Sequence, residues 1–362
     1  MASRPPGRVD LGSLERIEIE EAFDRAGIPR FHARQVFRWV HRRAVVDFGE
    51  MTDLPRALRE RLHGEFEIST PRLTRQDVSS DGTRKAELEL ADGRRIEAVF
   101  IPDTPKQTFC ISSQVGCAMD CGFCLTGKMG FGRHLTAGEI AGQVRLLASA
   151  TGLLGAPFNI VLMGMGEPLH NYDAVMKALR LLADPMGAAI PLRRVTLSTV
   201  GLVPGMQRLA AEPDIPNLAV SLHATTDEQR NRLVPVNRKY PLAQLIDVCR
   251  QFPLKRRSRI TFEYVLLAGV NDTPADARRL AALVADVKAK VNLLPLNAAP
   301  GLPYERPDDR QVDRFARSLA DRGLTVSVRR SRGRDIRAAC GQLIVEGQRP
   351  SAGQRLALTM GR

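Results

Sequence analysis

Cys117, Cys121 and Cys124 fall within eight positions in the stretch "QVGCAMDCGFCLTG" and make up half of the six cysteines in the chain. Six cysteines in 362 residues are too few for a disulfide scaffold, so their clustering points to metal or redox chemistry. A structural zinc site usually closes with four Cys or His ligands in paired short spacings, and the nearest candidate for a fourth ligand is His134. Three thiolates can instead hold a four-iron, four-sulfur cluster by three of its irons, leaving the last iron open to a small molecule. Spacing alone leaves both readings open. Cys110 precedes the triplet by seven residues, and Cys340 stands far downstream in "AACGQL". Residue type alone reads these two as small buried hydrophobes, as it does Cys249 in the helical "LIDVCRQF".

The elements that must position these thiols are visible as patterns. From about residue 13 to 65, apolar residues recur three and four apart in "LERIEIEEAFDRAG" and "FHARQVFRWVHRRA", and "DLPRALRERLHG" adds a further helix. Then "RKAELELADGRRIEAVFIP" alternates apolar and polar residues on both sides of an Ala-Asp-Gly-Arg turn, a hairpin signal. Beyond residue 106, seven short apolar or β-branched runs alternate with helical stretches: "QTFCISS", "FNIVLMG", "RRVTLSTVG", "NLAVSLHA", "RITFEYVLLAG", "KVNLLPLN" and "LTVSVRRS". That order predicts parallel strands with helical crossovers, as a complete or partial (β/α) barrel or an open doubly wound sheet. In barrels the chemistry sits where strands end, and "MGMGEP", "STVG", "SLHA", "PLNAAPG" and "SRGRD" all fall there.

With 44% hydrophobic residues the chain can bury a large core. It has no run of about 18 apolar residues that would span a membrane, and its N-terminus carries charge where a signal peptide needs apolar residues, so a cytoplasmic location is expected. The excess of 53 Lys and Arg over 40 Asp and Glu gives +13, which suits a polyanionic partner. The densest clusters, "LKRRSRI" at 254–260 and "VRRSRGRDIR" at 328–337, also suit a solvated face.

The C-x3-C-x2-C motif with an aromatic residue before its last cysteine, "CAMDCGFC", resembles the signature of the radical S-adenosylmethionine (SAM) enzymes. Together with "CISSQVGCAMDCGFCLTGKMGF", "VLMGMGEPLHNY", "STVG", "SLHA", "LLPLN" and "DIRAACGQL", in that order over residues 107–345, it is similar to the RNA adenine C2-methyltransferases of the RlmN type. The resemblance implies an α/β fold: a partial (β/α)6-type radical SAM barrel with a small helical N-terminal domain and a β-hairpin extension. The expected division is a helical, RNA-binding accessory domain at 1–72, a hairpin linker at 73–105, the radical SAM core at 106–345 and a C-terminal tail at 346–362.

By position, the resemblance implies that Cys117, Cys121 and Cys124 hold a [4Fe-4S] cluster. Gly166, Glu167, Ser198, Ser221, Leu222, His223 and Asn297 match the family's SAM contacts. Without it, Glu167 suits a surface turn, and the others read as residues ending barrel strands. Adenine C2 is electron-poor, so displacement on the SAM methyl does not reach it and a radical route is needed. The implied route consumes two SAM per turnover. One methylates Cys340, and a radical derived from the second takes hydrogen from that methyl group before its carbon adds to C2. Glu97 is the implied proton acceptor, although its residue type reads as an exposed strand position. Cys110 then attacks Cys340 in a transient disulfide that releases the RNA and must be reduced again.

The implied partners are 23S rRNA, at an adenosine of the peptidyl-transferase region, and tRNA, at the adenosine beside the anticodon. An external electron donor and a monomeric enzyme are also expected. A loop adenosine can be splayed into a pocket, while the helical head and Arg-rich segments would grip phosphates. Two alternatives stay open: a sister activity that methylates C8 of the same rRNA adenosine, and a zinc-stabilised RNA-binding protein without catalysis.

Overall fold

The computed structural model describes residues 8–102, 106–329 and 331–345. The expected tail at 346–362, the end of the hairpin segment at 103–105 and Arg330 of the Arg-rich segment lie outside the described residues.

The N-terminal part comprises β1 (Val9–Asp10), α1 (Arg16–Arg25), α2 (Phe31–Arg43), α3 (Arg56–Glu65) and β2 (Phe66–Glu67), with β1 and β2 paired in parallel. In α2 the buried apolar residues Ala33, Val36, Phe37 and Val40 follow the helical spacing read from the sequence. This head docks on the barrel helices through Lys177–Glu18 and Arg180–Glu15, each 2.7 Å. A single apolar core runs through both parts.

Three antiparallel strands follow: β3 (Arg72–Val78), β4 (Arg84–Glu89) and β5 (Arg95–Ile101). The hairpin of β4 and β5 turns where the sequence placed it, at Gly93 with a left-handed φ of 79°. Strand β3 was not legible because it is an edge strand, exposed at six of its seven positions, so no buried face imposes alternation. The hairpin does not stand apart as a linker, because β5 pairs antiparallel with β6 (Thr108–Cys110) and continues the main sheet.

The rest is β7 (Gln114–Gly116), α4 (Leu125–Met129), β8 (Phe131–His134), α5 (Ala137–Ala150), β9 (Asn159–Leu162), α6 (Tyr172–Ala183), β10 (Val195–Thr199), α7 (Val203–Ala210), β11 (Asn217–Ser221) and α8 (Asp227–Leu233). It ends with α9 (Leu242–Gln251), β12 (Ile260–Leu266), α10 (Pro274–Val284), β13 (Ala289–Pro295), α11 (Asp309–Ala320) and β14 (Val326–Val328). Strands β6, β9, β10, β11, β12, β13 and β14 pair in parallel in chain order, and each coincides with one of the seven predicted runs. The sheet keeps two edges, β3 and β14, so the barrel is open. The short β14 makes a seventh parallel strand beyond the six of the expected barrel.

Strand β12 is buried at six of its seven positions, as a strand covered on both faces should be. The covering helices present apolar stripes, for example Val312, Phe315 and Leu319 of α11. The short helices α7 and α8 were missed by sequence, each spanning too few turns to establish a period. Among the described residues no helix is long and apolar enough to cross a membrane.

Candidate active site

The crossover from β6 to β9 contains the cysteine loop. The β7–β8 hairpin fixes the loop's base, and its last turn is α4. Gly116 has φ 72°, and a Cβ there would lie 1.9 Å from the Gly130 carbonyl, so only glycine fits. Cys117 N–H donates to that same carbonyl at 2.9 Å, and Gly122 N–H donates to Leu233 O at 3.0 Å. Cys121 packs into a small apolar group with Leu233, Val234, Val265 and Leu296, at the C-terminal ends of the strands.

All three cysteines open onto one cavity of about 160 Å³. Gly166, Glu167, Ser198, Ser221, His223 and Asn297 line it too, with Cys340, so six strand-end positions named from sequence and the distant cysteine converge with the triplet. Gly166 needs its φ of 102°, since a Cβ would lie 2.6 Å from Gln114 Cβ. Glu167 is buried, not on a surface turn. Its carboxylate accepts from Leu169 N–H at 3.0 Å and Val200 N–H at 2.9 Å, and burial pushes it up to about 7. His223 has φ 59° and accepts from Val265 N–H at Nδ1 (3.0 Å), so the ring proton sits on Nε2. Burial, with the Arg230 charge near it, drops His223 to about 3 and keeps it neutral. The Leu222 side chain turns into the core, and only its backbone serves the site: N–H to Glu263 O and carbonyl to Arg230 Nε.

Cys110 is buried at the end of β6 and shares a smaller adjoining cavity with Cys340, Asn297 and Arg329. Cys340 is exposed, which removes the reading of it as a core hydrophobe, whereas Cys249 is buried as expected. All six cysteines are free thiols. Burial and the neighbouring Cys340 push Cys110 up to about 12, against the opposing pull of Arg329.

Glu97 lines neither cavity. It is buried on β5, not exposed, with Oε1 2.9 Å from Lys85 Nζ and Oε2 accepting from Ile344 N–H at 2.8 Å. Burial raises its carboxyl and Lys85 pulls it back.

Sequence reasoning missed three groups. Arg329, from the segment expected to grip phosphate, turns inward to line both cavities. Glu263 lines the larger one and accepts from Asn292 Nδ2 at 2.7 Å. Arg230, fully buried, donates to Leu222 O, Val200 O, Ser221 O and Asn237 Oδ1 and so ties the ends of β10 and β11 together. Arg230 lies in "DEQRNRL", where nothing separates it from a surface helix arginine.

The donor set can be weighed against what it would hold. Thiolates around one tetrahedral ion approach within ~4 Å of each other. Among the described residues no three Cys, His, Asp or Glu side chains are grouped to hold a single ion. His134, the candidate fourth zinc ligand, is exposed, bonded to Gln114 Nε2 at 3.0 Å and absent from the cavity wall. Burial first, and in each case another cysteine of the triplet or Cys340 as a neighbouring charge, raises the three thiols. Such a trio takes a multinuclear cationic group, which deprotonates thiols it coordinates. The polar wall facing it, from Gly166 to Asn297, fits a zwitterionic ligand. The residues present therefore fit a [4Fe-4S] cluster with SAM.

Residues 9–68 match the family described as the ribosomal RNA large subunit methyltransferase N-terminal domain, and residues 111–281 match the radical SAM superfamily. Among curated proteins, the dual-specificity RNA methyltransferase RlmN of Halorhodospira halophila is 48% identical over 346 residues, covering 95% of this chain and 96% of that protein. The protein of the same name from Syntrophotalea carbinolica is 51% identical over 339 residues, covering 93% and 90%. Among solved structures, a radical SAM methyltransferase from Sphaerobacter thermophilus superposes with a TM-score of 0.89 at 45% identity, covering 92% of this chain and 99% of that one.

Proposed function

The chain belongs to the RlmN family of radical SAM RNA methyltransferases, and from that membership we propose that it methylates C2 of an adenosine in 23S rRNA and of the adenosine beside the anticodon in tRNA. It is a SAM-dependent RNA methyltransferase. One observation carries the reading: the cysteine triplet, the strand-end polar residues and the exposed Cys340 face a single cavity.

In this reading Cys117, Cys121 and Cys124 hold the cluster, while Glu167, Ser198, Ser221, His223 and Asn297 orient SAM. Bound there, the two supply a methyl group and a one-electron route to a carbon radical. Glu167, with both oxygens fixed by backbone N–H groups, offers an acceptor edge to the SAM ammonium. His223, held neutral with its proton on Nε2, is a donor that adds no charge beside the sulfonium.

Cys340 is the methyl carrier. Its exposure lets it face SAM and then RNA, and Arg329 lines the same cavity. Cys110, a buried thiol, serves last. It gives up its proton as its Sγ bonds to Cys340 Sγ; the bond from Cys340 to the carbon on the base breaks, and that carbon leaves with the electron pair and takes up a proton to complete the methyl group. An external donor then reduces the disulfide. Glu97 takes the C2 proton once Ile344 N–H has left its Oε2. The head, residues 1–72, and the basic surface bind RNA phosphates in the cytoplasm.

The test is nucleoside mass spectrometry of rRNA and tRNA after anaerobic turnover of reconstituted protein. 2-Methyladenosine in both RNAs is expected. 8-Methyladenosine would move the protein to the sister activity, and no methylated adenine from protein with an intact cluster would refute the reading.

A further inference from the structure

At the end of the barrel opposite the cysteines, where β9 and β10 begin, a third cavity of about 420 Å³ lies between the end of α2, the C-terminal half of α5 and the loop at 187–194. Its inner wall carries His41 and Arg145, each only 3% exposed. Arg145 Nη2 donates to Ser69 O at 2.9 Å and Thr70 Oγ1 at 3.1 Å, and Nη1 meets His41 Nδ1 at 3.4 Å. Arginine only donates, so His41 Nδ1 accepts and the ring proton sits on Nε2. His41 Nε2 and Arg145 Nε then remain as buried donors with no hydrogen-bond partner. Each such donor costs about 1–3 kcal/mol unless an acceptor reaches it.

The cavity mouth carries Arg42, Arg193 and Arg194, none of whose side chains is in an ion pair or hydrogen bond among the described residues, and no Asp or Glu lines the cavity. Asp10, the carboxylate whose charge Arg145 feels, is already engaged by Gly12 N, Ser13 Oγ, Ser69 N and Ser69 Oγ. Burial pushes Arg145 down to about 10, so it stays charged near neutrality. Water in the cavity can satisfy a donor, but it leaves Arg42, Arg193 and Arg194 without a carboxylate to balance them, Asp10 offsetting Arg145 alone. A tetrahedral oxyanion supplies acceptors for both inner donors and charge for the arginines.

We propose that this cavity is a phosphate-binding site, with His41 and Arg145 at its inner end and Arg42, Arg193 and Arg194 at its mouth. The phosphoryl group comes either from an RNA backbone reaching around the barrel or from a free phosphate or nucleotide. The proposal does not depend on the methyl-transfer reading, since the site is remote from the cysteines.

The test is calorimetric titration of the full-length, cluster-reconstituted protein with inorganic phosphate at constant ionic strength, against a chloride control. Saturable binding is expected, weakened about tenfold or more in the double variant Arg193→Gln/Arg194→Gln. His41→Phe separates local recognition from general charge, because it keeps a ring against Phe37 (centroids 4.5 Å apart) and leaves net charge unchanged. It is expected to weaken phosphate binding with an unaltered response to chloride. If a short RNA displaces the phosphate, and the double variant weakens RNA binding by the same factor, the ligand is the RNA backbone. If phosphate binds and RNA does not compete, the ligand is a free phosphate. Wild type and both variants indistinguishable towards phosphate and RNA would overturn the proposal.

Discussion

The loop that carries Cys117, Cys121 and Cys124 and the segment that carries Cys340 meet in one cavity, yet they are held in opposite ways. The loop is over-determined: a two-stranded base, a glycine that tolerates no substitute, backbone bonds to Gly130 and Leu233, and Cys121 packed in its own apolar group. The Cys340 segment has no helix or strand among its described residues; Leu343 and Val345 anchor its end in the core, and the rest is tied by separate bonds. Asp335 accepts from Ser79 Oγ and Ser80 N, and Gly333 N–H donates to Asp81. Leu125 N–H donates to Gly341 O, Thr126 Oγ1 to Leu343 O, and Ile344 N–H to Glu97. A group that stays bound wants a rigid seat. In the proposed cycle Cys340 serves methyl donor, RNA and Cys110 in turn, which calls for a mount that opens at low cost.

The largest effects should separate the two regions outright. Cys117→Ala is expected to lose the cluster and every activity with it. Cys340→Ala should lose methyl transfer by about a thousandfold or more yet keep cluster absorbance and SAM binding. Loss of the cluster in Cys340→Ala would break the comparison, because the Cys340 segment would then be part of the seat.

Glu97 stands between the regions, on a strand of the main sheet but bonded to the segment that carries Cys340. Glu97→Gln keeps an acceptor for Ile344 N–H while removing the base and the anionic partner of Lys85, so the expected loss is about 10²–10⁴-fold in methyl transfer with little change in Cys340 exposure. A carboxyl raised by burial is neutral below its pKa and charged above it. The wild-type rate should therefore fall as pH drops through that raised value, and the variant should lack this acidic limb. A variant that transfers methyl at the wild-type rate would remove Glu97 as base. A variant that merely exposes Cys340 would make it a latch.

On the rigid side, Arg230→Met takes the guanidinium away from Val200 O and Ser221 O, at the ends of site strands, and leaves Leu222 O with the Ala224 N–H alone. A cost of about 3 kcal/mol or more is expected in thermal or denaturant unfolding, together with weaker SAM binding. Unchanged stability would mean that the strand ends are held by packing alone.

The same contrast explains what the sequence revealed. The parallel strands and their covering helices were legible because burial on fixed faces imposes composition and period, and the cysteine triplet because its ligands are adjacent in the chain. Arg230 and Glu263 were not, because a charge buried by long-range packing carries no local mark. Arg329 misled because a basic run looks the same whether its members face solvent or turn inward. Glu97, identified through the family, was read from its residue type as exposed; its burial depends on Lys85 and Ile344, 12 and 247 positions away, which no alternation on β5 encodes.

The smallest effect sharpens the comparison most. Thr126→Val keeps shape and volume on α4 and removes the 2.7 Å bond to Leu343 O together with the hydroxyl's contact to the Cys124 sulfur, which the cluster-content readout monitors. One such bond is worth about 1 kcal/mol, so the Cys340 segment should open about fivefold more often. Alkylation of Cys340 and amide exchange at Ile344 should accelerate by that factor, while global unfolding and cluster content stay as in the wild type. If global stability falls in step with the local opening, the segment is part of the main cooperative unit, and the mobility assigned to the methyl carrier must come from elsewhere in the cycle.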